Sequence, residues 1–171
     1  QAWVCLCKTD PSLGTGGGAA FDADGLCGIM QLRLAYPRQT TLITGVKRDN
    51  VLLNNVMLSE NSQLTVVDIS LHSNLSGLTS ALEKGCSVEW FDHHHPGLIP
   101  EHPNLVTHID TDPALCSSLI INKLLKNRFA HWAIVAAFGD NLQESACALA
   151  ASRGVPKVTL DVLKDLGVCI N

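Results

Sequence analysis

Two short apolar runs in this chain end abruptly on acids. Ser87-Val88-Glu89-Trp90-Phe91 stops at Asp92-His93-His94-His95 and the turn Pro96-Gly97, and Leu64-Thr65-Val66-Val67 stops at Asp68. Runs this short, rich in β-branched and aromatic residues, read as buried strands rather than helices. A histidine run is by composition also a tag or a solvated loop; here it is internal, short and preceded by a buried-looking strand. Further strands are predicted over residues 2–7, 40–44 (ending at Gly45) and 105–109. Leu26, Ile29, Met30, Leu32, Arg33 and Leu34 keep a helical rhythm that Pro37 stops. Residues 49–58 and 71–84 also read as helices, the second with Gly85 as its C-terminal cap. Asp112-Pro113 opens a helix through Leu125 with Pro at its favoured first position, and residues 159–166 form a helix closed by Gly167. Residues 130–138 are apolar and ambiguous between strand and helix. Strands alternating with helices imply an α/β fold, a mostly parallel sheet with helices on both faces.

A chain of 171 residues that is 46% hydrophobic closes one core. Its formal charge of −4 gives no basic footprint for long nucleic acid, so a small anionic substrate would need local help from metals or helix ends. The seven cysteines are scattered with no C-x-x-C pair, which reads as reduced, mostly buried thiols in a cytoplasmic protein. No segment reaches the roughly 18 apolar residues of a membrane span. Residues 1–19 stand apart as an atypical N-terminal segment and glycine-rich linker. Gly14-Thr15-Gly16-Gly17-Gly18 is not followed by the Gly-Lys-Ser/Thr of a phosphate loop. The main domain is then expected over residues 20–171.

Asp22 and Asp24 are two apart at a strand-to-helix junction, where extended backbone points alternate side chains the same way and lets both grip one ion. The helix that follows offers free N–H groups and a positive dipole end to a phosphate. Asp68, His93 and His94 lie at successive strand ends, and Asp140 in Phe138-Gly139-Asp140-Asn141 supplies a fourth carboxylate. Four carboxylates sharing one pocket repel strongly unless cations are present. Two divalent ions, roughly 3.5–4 Å apart as in two-metal hydrolases, would cancel that charge. Imidazole ligands favour Mn²⁺ or Co²⁺ over the oxygen-preferring Mg²⁺.

Phe21-Asp22-Ala23-Asp24-Gly25, Val67-Asp68, Asp92-His93-His94 and Gly139-Asp140 resemble, in order, motifs one to four of the DHH phosphoesterase superfamily. That superfamily includes exonucleases, oligoribonucleases, cyclic-dinucleotide phosphodiesterases and family II pyrophosphatases. The wider surroundings look like an uncharacterised bacterial subgroup. The resemblance implies that Asp22, Asp24, Asp68, His93 and Asp140 are metal ligands, with Asp68 bridging. It makes His94 the general acid or charge stabiliser at the scissile phosphate and has Asp92 orient His93. His95 falls outside the motif and reads as a rim residue. Two departures stand out: Ala20 replaces a His or Asp that many members carry, and the family's C-terminal substrate domain has no counterpart before Asn171.

Of the other polar residues, Lys47-Arg48 and His108 are candidates for phosphate contact, each balanced by a solvated or structural reading. Asn141 reads as a helix cap, and His72, His102 and His131 have no motif context. The function expected is a metal-dependent phosphoesterase acting on a phosphodiester or phosphoanhydride of a small nucleotide-type substrate, a short oligonucleotide included. Its partners would be a missing C-terminal domain or a second copy, and no membrane. The alternative is a catalytically incomplete metal- or nucleotide-binding domain.

Overall fold

The computed structural model describes residues 3–10, 20–46 and 51–170. The elements run β1 (Trp3–Asp10), β2 (Ala20–Phe21), α1 (Ala23–Ala35), β3 (Thr41–Val46), a 3-10 turn (Leu52–Asn55), β4 (Gln63–Val67), a second 3-10 turn (His72–Asn74), α2 (Leu75–Glu83), β5 (Ser87–Asp92), β6 (Leu105–Ile109), α3 (Ser117–Leu124), α4 (Ala130–Gly139), α5 (Gln143–Ser152) and α6 (Lys157–Ile170). The order across the sheet is β2-β1-β4-β5-β6, with β3 also paired to β1. Every pairing among β3, β1, β4, β5 and β6 is parallel, and only the two-residue β2 runs antiparallel. The chain passes from β1 to β3 on one side and then to β4 on the other. The strand order therefore reverses at β1, and open α/β sheets bind ligands outside the carboxyl ends of the strands at such a reversal.

Alternation along β4 and β5 assigns the two faces. Leu64, Val66, Val88 and Trp90 pack with Leu52, Leu53, Leu78, Ala81 and Leu82, so α2 and the first 3-10 turn cover one face. Val67 and Phe91 pack with Ile29 of α1 and Ile121 of α3 on the other. Burying one such side chain contributes about 1.5–3 kcal/mol. Val67 directly precedes Asp68 and Phe91 directly precedes Asp92, so this small apolar cluster is the floor under the acids. Gly28 makes that floor possible: a Cβ there would lie 2.8 Å from Val67 Cγ1 and 2.9 Å from Ile121 Cδ1. A third cluster joins Cys27 and Cys116 to α4, α5 and α6.

Several elements differ from the sequence expectation. β1 continues through Lys8, Thr9 and Asp10, which were expected in the glycine-rich loop, and residues 3–10 supply a strand of the sheet; residues 11–19 lie outside those described. The helix expected over 49–58 is only the turn Leu52–Asn55, because Leu53 N–H is held by the buried Asn74 side chain at 3.0 Å; residues 49 and 50 lie outside those described. Asp112-Pro113 opens a turn, not α3: Asp112 Oδ1 accepts from Ala114 N at 2.8 Å, and the helix starts at Ser117. Residues 130–138 are helical and, apart from the exposed His131, apolar, because α1, α3, α5 and α6 pack around them. Gly167 does not close its helix but sits inside α6, packed so closely on α4 that a Cβ there would meet the Val135 carbonyl and lie 3.0 Å from Gly139 N. Asn141 does not cap α5; Leu142 is the cap residue, and Asn141 takes a left-handed turn at φ 60. Gly85, at φ +73, ends α2 in the expected way, with Cys86 N–H on Ala81 O at 3.0 Å. No helix among the described residues is long and apolar enough to cross a membrane.

Candidate metal centre

Asp68 and Asp92 stand at the carboxyl ends of the adjacent parallel strands β4 and β5, held together by Asp68 N–H on Phe91 O at 2.9 Å. Asp68 has φ +59, a left-handed backbone that aspartate tolerates better than most residues and that ends the strand sharply. His93 follows directly, and its Nε2 lies 3.4 Å from Asp68 Oδ1 and 4.0 Å from Asp140 Oδ2. Asp140 comes from the C-terminal end of α4 and brings a carboxylate from the far side of the helical layer.

Asp92 is wholly buried, and its Oδ1 accepts from His93 N–H at 2.9 Å and pairs with His94 Nδ1 at 2.7 Å. It therefore steers the His94 ring, not the His93 ring as the motif implied, and holds His93 only by its backbone. The other oxygen of Asp92, Oδ2, is buried without a hydrogen-bond partner. His94 Nδ1 lies 3.9 Å from Asp68 Oδ1, and the two imidazoles are in contact at 4.5 Å between centroids.

Asp22 and Asp24 do different things. Asp22 caps α1, its Oδ1 accepting from Asp24 N–H at 3.0 Å. Asp24, in the first turn, sends its carboxylate to the start of α3, where Oδ1 accepts from Ser118 N–H at 2.7 Å and Oδ2 from Ser117 N–H at 2.8 Å. A buried carboxylate is stabilised there by two charge-assisted hydrogen bonds and by the positive end of the helix. Each oxygen keeps a further lone pair.

Two groups result. Asp68, His93 and His94 offer donor atoms within 4.8 Å of one another, and so do Asp24, Cys116 and Asp140. Donors around one tetrahedral ion, with bonds of about 2.0–2.3 Å, sit roughly 3.5 Å apart, so either group closes on a cation with about 1 Å of side-chain movement. The donor sets, the orphaned Asp92 oxygen and the excess of carboxylates all suit divalent cations. The Asp68, His93 and His94 group could hold a metal ion. Of the ligands read from the motifs, Asp68, His93, Asp24 and Asp140 are brought together, whereas Asp22 enters neither group. Cys116, Ser117 and Ser118 were not singled out in the sequence; the signal available was a helix start with two adjacent serines, a ready anion site.

Among the peripheral residues, His95 is exposed and its Nδ1 accepts from Gly97 N–H at 3.2 Å. His108 pairs with Glu89 at 3.1 Å and stacks on Phe91, a structural role. Lys47 and Arg48 lie outside the described residues. Cys27, Cys86 and Cys116 are buried and Cys147 and Cys169 exposed, all as free thiols.

Electrostatics follow from this crowding. Burial lowers the pKa of His93, but the Asp68 carboxylate it meets and the charges of Asp24, Asp68 and Asp140 outweigh burial and raise it from 6.5 to about 9. Burial first, then the Asp24 charge, lift Asp140 from 3.8 to about 6 against the pull of His93. Without a cation, both groups favour the protonated form in the folded chain. A raised folded-state value gives stability that is full below the unfolded value and is lost as pH rises through the folded one. The metal-free protein should therefore lose stability in one stage as pH passes about 6 and in another toward about 9. Urea midpoints of chelator-treated protein from pH 4 to 9 measure this, and a midpoint constant or rising over that range would contradict the clustering of charge.

Compared with protein-family models, with curated proteins and with solved structures, the chain matches none. Fold and site together define an α/β protein with an Asp/His cluster at the carboxyl edge of a parallel sheet.

Proposed function

We propose that this chain is a divalent-metal-dependent phosphoesterase of the DHH type, with Mn²⁺ the preferred ion, acting on a small nucleotide-like phosphodiester or phosphoanhydride. The observation that carries the proposal is the meeting of Asp68, His93 and Asp140 from three separate elements at the carboxyl ends of β4 and β5, beside the reversal at β1. Divalent ions bound there would neutralise phosphate charge and activate water. Asp68 and His93 would hold one ion, and Asp24 and Asp140 the donors nearest a second. Asp92 keeps Nδ1 of His94 engaged, so Nε2 is the nitrogen left to give a proton to the leaving oxygen.

A second reading has one observation in its favour. Both oxygens of Asp24 are already used to cap α3, and Asp22 caps α1, which leaves the second position poorer in free donors. A chain that binds one ion and turns nothing over would fit that arrangement. Thermal melts with EDTA and with excess Mn²⁺, paired with turnover of a generic phosphodiester, separate the two. Mn²⁺ at about 100 times its dissociation constant should stabilise the fold by roughly 2.7 kcal/mol. Stabilisation with turnover supports the phosphoesterase; stabilisation with none, in a chain restored to any natural extension, supports the binding domain. Identical melts would remove both.

A further inference from the structure

We propose that Cys116 is itself a metal ligand, its sulfur joining Asp24 and Asp140 to hold a second and softer cation beside the Asp68–His93 position. This rests on the metal-centre reading above and adds to it a donor outside the four motifs. The three donors come from three elements: Asp24 from the first turn of α1, Cys116 from the residue preceding α3, and Asp140 from the end of α4. Their ligand atoms all lie within 4.8 Å of one another. A wholly buried cysteine usually behaves as a small hydrophobe. This one, although it also borders the apolar helical cluster, has two carboxylates for neighbours.

Its place is held firmly. Asp24 takes the N–H groups of Ser117 and Ser118, and Ser118 Oγ in turn donates to the Asp24 backbone carbonyl at 2.7 Å. Cys116, the residue just before, is thereby fixed over the Asp24 carboxylate. A second observation places another cation-binding donor group directly beside it. The mixed nitrogen and oxygen group of Asp68, His93 and His94 abuts this one, joined through His93 Nε2 and Asp140 Oδ2 at 4.0 Å.

Without metal, burial and the Asp24 charge keep the thiol protonated. A divalent ion reverses this, since a coordinating thiol is deprotonated outright: the S–H proton leaves to solvent as the metal–sulfur bond forms. Thiolate donors select Zn²⁺, Co²⁺ or Fe²⁺ over Mg²⁺ or Mn²⁺. The centre would then be asymmetric, with a harder position at Asp68 and His93 and a softer one at Asp24, Cys116 and Asp140.

Co²⁺ tests this directly, since sulfur ligation adds a near-ultraviolet charge-transfer band that nitrogen and oxygen ligands do not give. The full chain would carry Cys147→Ser and Cys169→Ser to remove the exposed thiols. Expected is binding of about two Co²⁺ per chain, as for a two-metal site, with the band present, and Cys116→Ser should lose the band and about one ion. Co²⁺ bound with no band, or a band untouched by Cys116→Ser, overturns the sulfur ligand and leaves the metal centre standing. No Co²⁺ bound by equilibrium dialysis overturns both. Cadmium-113 resonance of the protein with Cys116 in place reports sulfur ligation independently, so a poorly folded Cys116→Ser does not spare the proposal: a shift typical of oxygen and nitrogen ligands alone would sink it.

Discussion

Asp68→Asn should empty the Asp68–His93 metal position while leaving the fold intact. Asparagine keeps the shape of the side chain and, like aspartate, accepts the left-handed backbone found at φ +59. What it loses is the negative oxygen that His93 meets at 3.4 Å and that Ser117 Oγ approaches at 3.4 Å. Partners lying outside the coordination sphere of a metal already account for 10- to 100-fold in affinity, so losing a ligand should cost at least about 100-fold. Turnover of a phosphodiester should fall at least as far. Asp68→Ala should lose metal to the same degree and also stability, because a non-glycine residue without a local polar contact pays about 1–2 kcal/mol in the left-handed region. Metal content after gel filtration, urea midpoint and turnover would be measured together. Full retention of metal by Asp68→Asn would place the ion elsewhere.

His94→Ala should behave in the opposite way, keeping metal while turnover falls by about 10²–10⁴-fold, the usual worth of a positioned general acid. The reason is the 2.7 Å contact between His94 Nδ1 and the buried Asp92. To ligate through Nδ1, His94 would have to abandon that contact; as a proton donor through Nε2 it keeps it. Asp92→Asn should then mimic His94→Ala in part, since an amide no longer holds the His94 ring by a charge-assisted hydrogen bond. Metal stoichiometry decides the matter. If His94→Ala loses metal as completely as Asp68→Asn, then His94 is the third ligand beside Asp68 and His93, and the proton donor is another group.

Local pattern made much of the architecture legible. A strand needs only a few apolar residues in a row, so β4, β5 and β6 and the carboxyl-edge position of Asp68, Asp92, His93 and His94 were readable directly, as was the left-handed cap at Gly85. Elements whose state depends on their neighbours were not. The helix α4 is apolar apart from the exposed His131, and its periodicity is weak because other helices surround most of it. Asp112-Pro113 has the chemistry of a helix start and forms a turn, because the N–H groups that begin α3 are claimed by Asp24, more than ninety residues away in sequence. Gly167 has the look of a stop signal and is instead a packing residue against α4.

The same division runs through the site. Sequence by itself determined which residues carry charge and imidazole, and that Asp68 and the Asp92-His93-His94 run would sit at neighbouring strand ends, because strand termination is a local property of a few residues. Only the tertiary structure decided who faces whom. It turned Asp92 toward His94, used Asp22 and Asp24 to cap helices, brought Asp140 to His93, and set Cys116 between two carboxylates. Those choices depend on how α1 and α3 pack over the floor made by Ile29, Val67, Phe91 and Ile121, and on how α4 packs against both helices. Close packing of side chains from distant parts of the chain has no periodicity along it, so no local pattern could have announced it.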